Sequence, residues 1–190
     1  MIDLINEKIN NLLENFRQYP DKYLTESDVR CALVNELTEI TELGRLQDTQ
    51  DGSKSVPIHT EVRWYGQSGQ LKWRSDIVIL DVRTLIVKNK LFRLPSKGYG
   101  FNEPKAIIEI KLRRVNGESK STFIKKINKD IDRLKKIKHE IPGDYFCYLI
   151  ILDKREDINR DILREQNNIN VYYQYAYNNL GEQNSLRNEP

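Results

Sequence analysis

The chain has 190 residues, 31 of them Lys or Arg and 28 Asp or Glu, for a formal net charge of +3, and 38% of its positions are hydrophobic. That length suits one domain around one continuous core, and the apolar fraction is too high for a disordered chain. No apolar run approaches the roughly 18 residues of a bilayer span, the first residues lack a signal-peptide layout, and the distant Cys31 and Cys147 make no disulfide or zinc framework, so a cytoplasmic protein without a membrane segment is expected.

Leu4, Ile5, Ile9, Leu12, Leu13 and Phe16 recur at helical spacing and predict an amphipathic helix over 3–18, stopped by Pro20. Thr25 followed by Asp28 makes a capping box for a second helix. Its core stripe is Val29, Leu33, Leu37 and Ile40, and Gly44 marks its end. Residues 47–57 are polar and turn-rich and read as a loop. The period then changes to two: 58–64 and 73–82 read as strands around a turn at 66–69, and 85–94 alternates loosely enough to extend the sheet. Gly98 and Gly100 place an exposed loop over 96–104.

A strand over 105–113 follows, with Ala106, Ile108, Ile110 and Leu112 on one face. Asn116-Gly117 turns the chain. Ser119 or Ser121 then caps a long helix with Ile124, Ile127, Ile131 and Leu134 in one stripe, ended at Pro142-Gly143. The nearly continuous apolar run over 145–152 predicts a strand buried on both faces. A helix over 157–166, a strand over 169–175 and a polar tail over 179–190 complete one domain spanning 1–178. The order predicts an α/β fold, a mixed central sheet flanked by helices.

The small net charge hides an uneven distribution. Residues 109–138 carry 11 Lys and Arg against 4 Asp and Glu, a local charge of +7 that leaves −4 for the rest. A basic segment on an acidic body is the footprint of a polyanion binder, and equally that of a lysine-rich helix face turned to solvent.

Nucleophilic and phosphate-loop chemistry finds little support. The cysteines sit among apolar neighbours, His59 and His139 have no partner spacing, and no Gly-rich phosphate loop occurs. Carboxylate chemistry remains. Glu109 and Lys111 lie two apart within an apolar strand, so they point to the same side, where a charged pair costs stability unless something compensates. Asp76 stands at the entry of another apolar strand. If the two strands pair, Asp76 and Glu109 are placed to share a hard divalent cation, Mg²⁺ or Mn²⁺, with Lys111 facing the same phosphate.

Asp76 followed by Glu109-Ile110-Lys111 resembles the D…ExK signature of the PD-(D/E)xK nuclease superfamily, with its restriction-endonuclease-like fold. The resemblance covers about residues 24–153. It implies an extra N-terminal helix at 3–18 and an insertion between the Asp and ExK strands, which stand 33 residues apart. Ser75 replaces the proline of the signature. The resemblance implies a metal-dependent nuclease hydrolysing DNA phosphodiester bonds, with RNA as an alternative substrate and a homodimer as one arrangement. Asp76 and Glu109 would bind the metal, Lys111 would serve the attacking water, and an acid from the first core helix would complete the site. Glu26 fits that role best, Glu61 next and Glu36 third. Arg113 and Arg114 beyond the strand, and Lys125, Lys126, Lys129 and Arg133 on the basic helix, would contact the nucleic acid. Two other readings stay open: a non-catalytic nucleic-acid-binding module of the same fold, and a structural subunit in which Glu109 and Lys111 pair with each other.

Overall fold

The first helix, α1 (Ile2–Gln18), buries Ile5, Ile9, Leu12 and Phe16 and gives way to a 3-10 turn at Pro20–Lys22, as the apolar spacing and the proline require. The computed structural model describes residues 1–65, 68–87, 102–155, 158 and 168–176. Helix α2 (Glu26–Thr38) starts at the predicted capping box: Thr25 accepts from the Asp28 N–H, and the Asp28 carboxylate accepts from the Thr25 and Leu24 N–H groups. It stops six residues before Gly44, and the chain continues through a single turn, α3 (Thr41–Gly44).

Residues 47–57 are not all loop. Strands β1 (Gln47–Asp48) and β2 (Lys54–Ser55) form a small antiparallel ribbon closed at Gly52, whose φ of +73° favours glycine. Two-residue strands leave no periodicity to read.

The main sheet contains β3 (Ile58–Tyr65), β4 (Leu71–Leu80), β5 (Pro104–Arg113), β6 (Phe146–Asp153) and β7 (Ile169–Tyr175), adjacent in that order. β4 runs antiparallel to both of its neighbours, β3 and β5, whereas β5, β6 and β7 run parallel. Parallel strands need a crossover, and α4 (Lys120–Glu140), capped by Ser119, supplies the one between β5 and β6. The result is a mixed α+β fold, a five-stranded mixed sheet with helices on both faces. Residues 85–87 add no strand to it. The rest of the strand expected to 94, most of the loop over 96–104, all but Ile158 of the helix over 157–166 and the tail over 179–190 lie outside the described residues.

Alternation splits the core in two. Ile77, Ile79, Ala106, Ile108, Ile110, Tyr148 and Ile150 pack against α1 and α2, while Val78, Ile107, Cys147, Leu149 and Ile151 pack against α4. Every residue of β6 after Phe146 is buried, which explains its unbroken apolar run.

Near one end of the sheet this alternation slips. Ile58 belongs to the α1/α2 core, yet Val62 and Trp64, at the same parity, belong to the α4 core. The slip occurs at Glu61, whose φ of +59° is left-handed. β4 slips in step: Ile77 and Ile79 face α1/α2, but Trp73 packs on the α4 side and Ser75 accepts a 2.9 Å hydrogen bond from Trp64 Nε1. The residue at the slip in β4 is Asp76. Among the described residues no helix is long and apolar enough to cross a membrane.

Candidate functional site

The paired register of β4 and β5 ends at Ile77 opposite Ile108, so the next positions bring Asp76 across from Glu109. Beyond that point the strands part. The Ile110 N–H donates to Asp76 Oδ2 at 2.9 Å, and the Leu112 N–H donates to Glu26 Oε1 at 3.4 Å. Two carboxylates thus take the place of the strand that has turned away, which keeps the exposed edge of β5 satisfied. Glu26 reaches this fork from the first turn of α2, where the helix dipole favours an acid.

Glu109 and Lys111 share the α4 side of β5, as strand alternation requires. Glu109 is 1% exposed and receives the Arg133 guanidinium at 2.5 Å from Oε2, while its Oε1 is buried and has no hydrogen-bond partner among the described residues. Lys111 Nζ lies 3.0 Å from Asp130 and 3.5 Å from Glu26. Asp130, 2.9 Å from Arg133, closes the network. Four carboxylates (Asp76, Glu109, Asp130, Glu26) therefore surround two cations, and the cluster is negative overall.

Burial pushes the Glu109 carboxyl up to about 8. Arg133 pulls against this shift, and the neighbouring Asp76 and Asp130 charges add to it. Burial works the other way on Lys111, disfavouring its ammonium, but Asp130, Glu26 and Asp76 outweigh it and hold its pKa above the ordinary value. Lys111 is thus a fixed cation and Glu109 a carboxyl held partly protonated at neutral pH.

The structure corrects several sequence expectations. Arg113 is not a surface phosphate contact. It is fully buried, donating to Asp153 Oδ1 at 2.9 Å and Oδ2 at 2.5 Å, with its guanidinium 5.1 Å over the Phe123 ring. Its position at the end of a buried strand, opposite an aspartate at the end of the next, turns it inward. Arg133 does not project to solvent with the lysines; the buried Glu109 and Asp130 draw it in. Glu61 is held by Arg30 and by Arg74, the latter at 2.8 Å, and stays outside the carboxylate cluster. Glu36 pairs with Lys8 at 3.6 Å, away from the fork. Arg114, Lys125, Lys126 and Lys129 are exposed as expected, with Lys126 held 2.7 Å from Glu118. Cys31 is exposed; Cys147 is buried, and burial raises its thiol to about 11.

Asp130 is the site residue that sequence periodicity passed over. It lies three residues after Ile127 and four before Leu134, on the stripe that α4 buries. A carboxylate in that position of a lysine-rich helix was the available signal.

The donor set suits a hard cation in part. Asp76 and Glu109 offer carboxylate oxygens from adjacent strands, one of them buried and unpartnered, and Mg²⁺ or Mn²⁺ takes one or two carboxylates with substrate phosphate oxygens and water. Among the described residues no group of three or more His, Cys, Asp or Glu side chains is placed to hold a metal ion by itself. Comparison of the chain with protein-family models, curated proteins and solved structures returns no match.

Proposed function

We propose that the chain is a metal-dependent nuclease of the PD-(D/E)xK type with a restriction-endonuclease-like core, hydrolysing nucleic-acid phosphodiester bonds, DNA first. One observation carries the reading. The β4–β5 register brings Asp76 across from the buried Glu109 at a fork in the sheet, with Lys111 on the same side and Glu26 entering from α2. Buried carboxylates on a sheet cost stability, and clustering with a persistently charged lysine is the pattern of a site that handles developing negative charge.

Asp76 and Glu109 would hold the divalent ion, which when bound supplies Lewis-acid charge to a phosphate oxygen. The acidic neighbours hold the Lys111 pKa above its ordinary value, which suits the side chain to act as a hydrogen-bond donor and a positive charge toward the attacking water and the phosphoryl oxygens. Asp130 fixes the direction of that ammonium, and Glu26 contacts it from the open side.

The test is cleavage of supercoiled, linear, branched and single-stranded DNA, and of RNA, with Mg²⁺ or Mn²⁺. Wild type cuts at least one of these, and Asp76→Asn and Lys111→Ala abolish cutting while far-UV circular dichroism stays unchanged. A wild type that cuts none with either metal overturns the proposal. A second reading, a non-catalytic nucleic-acid-binding module, draws on the Arg133–Glu109 and Lys111–Asp130 pairs, which already compensate the buried charges internally. Binding without cleavage selects it.

A further inference from the structure

The β3–β4 ribbon places two arginines where the fold does not need them. Arg63 pairs directly with Arg74 in the antiparallel register, so their side chains share one face. Like charges directly opposite on a sheet are destabilising. Arg74 and Arg30 share the single carboxylate of Glu61, and Arg63 has no partner among the described residues. Three guanidiniums against one carboxylate leave this face with a charge of +2.

The ribbon is also a firm platform. Its other face is pinned by the fully buried Trp64 and its bond to Ser75, and by Val62 in the α4 core. Lys72 ties it to the end of α4 through Glu140 at 3.1 Å. The backbone is strained at Glu61, where a non-glycine residue holds a left-handed φ beneath two arginines. A fold under no other demand would relieve both the strain and the Arg–Arg juxtaposition with neutral residues. Arg74 stands two residues before Asp76, so this positive face adjoins the carboxylate fork.

We infer that the exposed Arg63–Arg74 face of the ribbon is a docking surface for the sugar-phosphate backbone of nucleic acid, which would hold it against the repulsion of the negative cluster beside it. The inference rests on the nucleic-acid reading above but not on catalysis, and it is separate from the lysine face of α4. Arginine forks match phosphate oxygens two at a time, and such contacts fix position without reading sequence.

The test is fluorescence anisotropy in EDTA at low salt, using a labelled duplex DNA, the single strand of the same sequence and the matching RNA. Arg63→Ala, which removes a side chain with no hydrogen-bond or ion-pair partner among the described residues, weakens binding several-fold. Arg63→Ala with Arg74→Ala weakens it by about tenfold or more and lowers the slope of log affinity against log salt by about 2, one for each lost phosphate contact. Arg63→Lys retains most of the affinity, and Lys54→Ala on the separate small ribbon changes nothing. The three probes report whether duplex, single strand or RNA is preferred. Equal affinity and salt slope in wild type and the double variant, or no binding by wild type at low salt, overturns the inference. Because the assay contains no metal, absence of cleavage leaves it standing, and cleavage with unchanged binding in the double variant refutes it alone.

Discussion

Asp130 holds the ammonium of Lys111 at 3.0 Å and the guanidinium of Arg133 at 2.9 Å, so one buried carboxylate on α4 sets two cations against strand β5. Asp130→Asn keeps the shape and removes the charge. Lys111 retains Glu26 and Arg133 retains Glu109, so the loss is that of one partner in a larger network, about 1–3 kcal/mol. Thermal melting should register a fall of about 2–4 °C per kcal/mol for a domain of this size. If the nuclease reading holds, cleavage falls further than stability does, because the ammonium is no longer aimed. An unchanged melting temperature would show that the Asp130 pairs contribute nothing.

The order of elements was legible because each carries its own period. The stripe of α1, the capping box of α2 and the unbroken run of β6 are local signals, and each places its element within a few residues. The pairing of Glu109 with Lys111 on one side was legible for the same reason. The slip at Glu61 and Asp76 was not, since the two paired strands turn over together without a break in their register, which leaves no mark in either sequence alone. Arg113 was misread because its burial depends on Asp153, 40 residues away, which no local pattern links to it. Arg133 and Asp130 were hidden for a related reason. On a helix crowded with lysines, the turn of Arg133 inward is set by the acids beneath it.

Glu109 makes stability depend on pH in a defined direction. Its carboxyl is raised from the ordinary carboxylate range to about 8, so between those values the folded chain binds a proton that the unfolded chain has released. The contribution is complete at low pH and is lost as pH rises to about 8. Glu109→Gln lacks it. The melting temperature of that variant, taken relative to wild type, should therefore climb from about pH 5 to about pH 8 and level off above. A difference that is flat across this range would mean that Glu109 titrates like an exposed carboxylate.

The fully buried Arg113–Asp153 pair makes a different prediction, one about asymmetry. Arg113→Met removes the guanidinium from the buried Asp153 carboxylate, and Asp153→Leu removes the carboxylate from the buried guanidinium; each single change should cost about 3–5 kcal/mol. The double variant removes both members of the pair and should recover a large part of that loss, short of all of it because the Arg155 N–H also donates to Asp153. Denaturant unfolding of the four proteins measures the coupling. Additive single costs would show that the two side chains do not depend on each other. Nucleic-acid affinity should be unaffected throughout, since neither group reaches the surface.

Metal affinity follows from the same protonation argument. A divalent ion bound by Asp76 and Glu109 must displace the proton that burial keeps on Glu109, and it must compete with Arg133 for the same carboxylate. Apparent affinity for Mn²⁺ should therefore rise about tenfold per pH unit below about pH 8 and flatten above it, a range in which an exposed carboxylate site would show no change. Isothermal titration calorimetry across this span measures the slope, and in buffers of differing ionisation heat it also counts the proton released. Asp76→Asn should abolish the binding, leaving Ile110 N–H an amide oxygen to meet and the fold intact. Binding that is equally strong at both ends of the span would place the metal on other ligands.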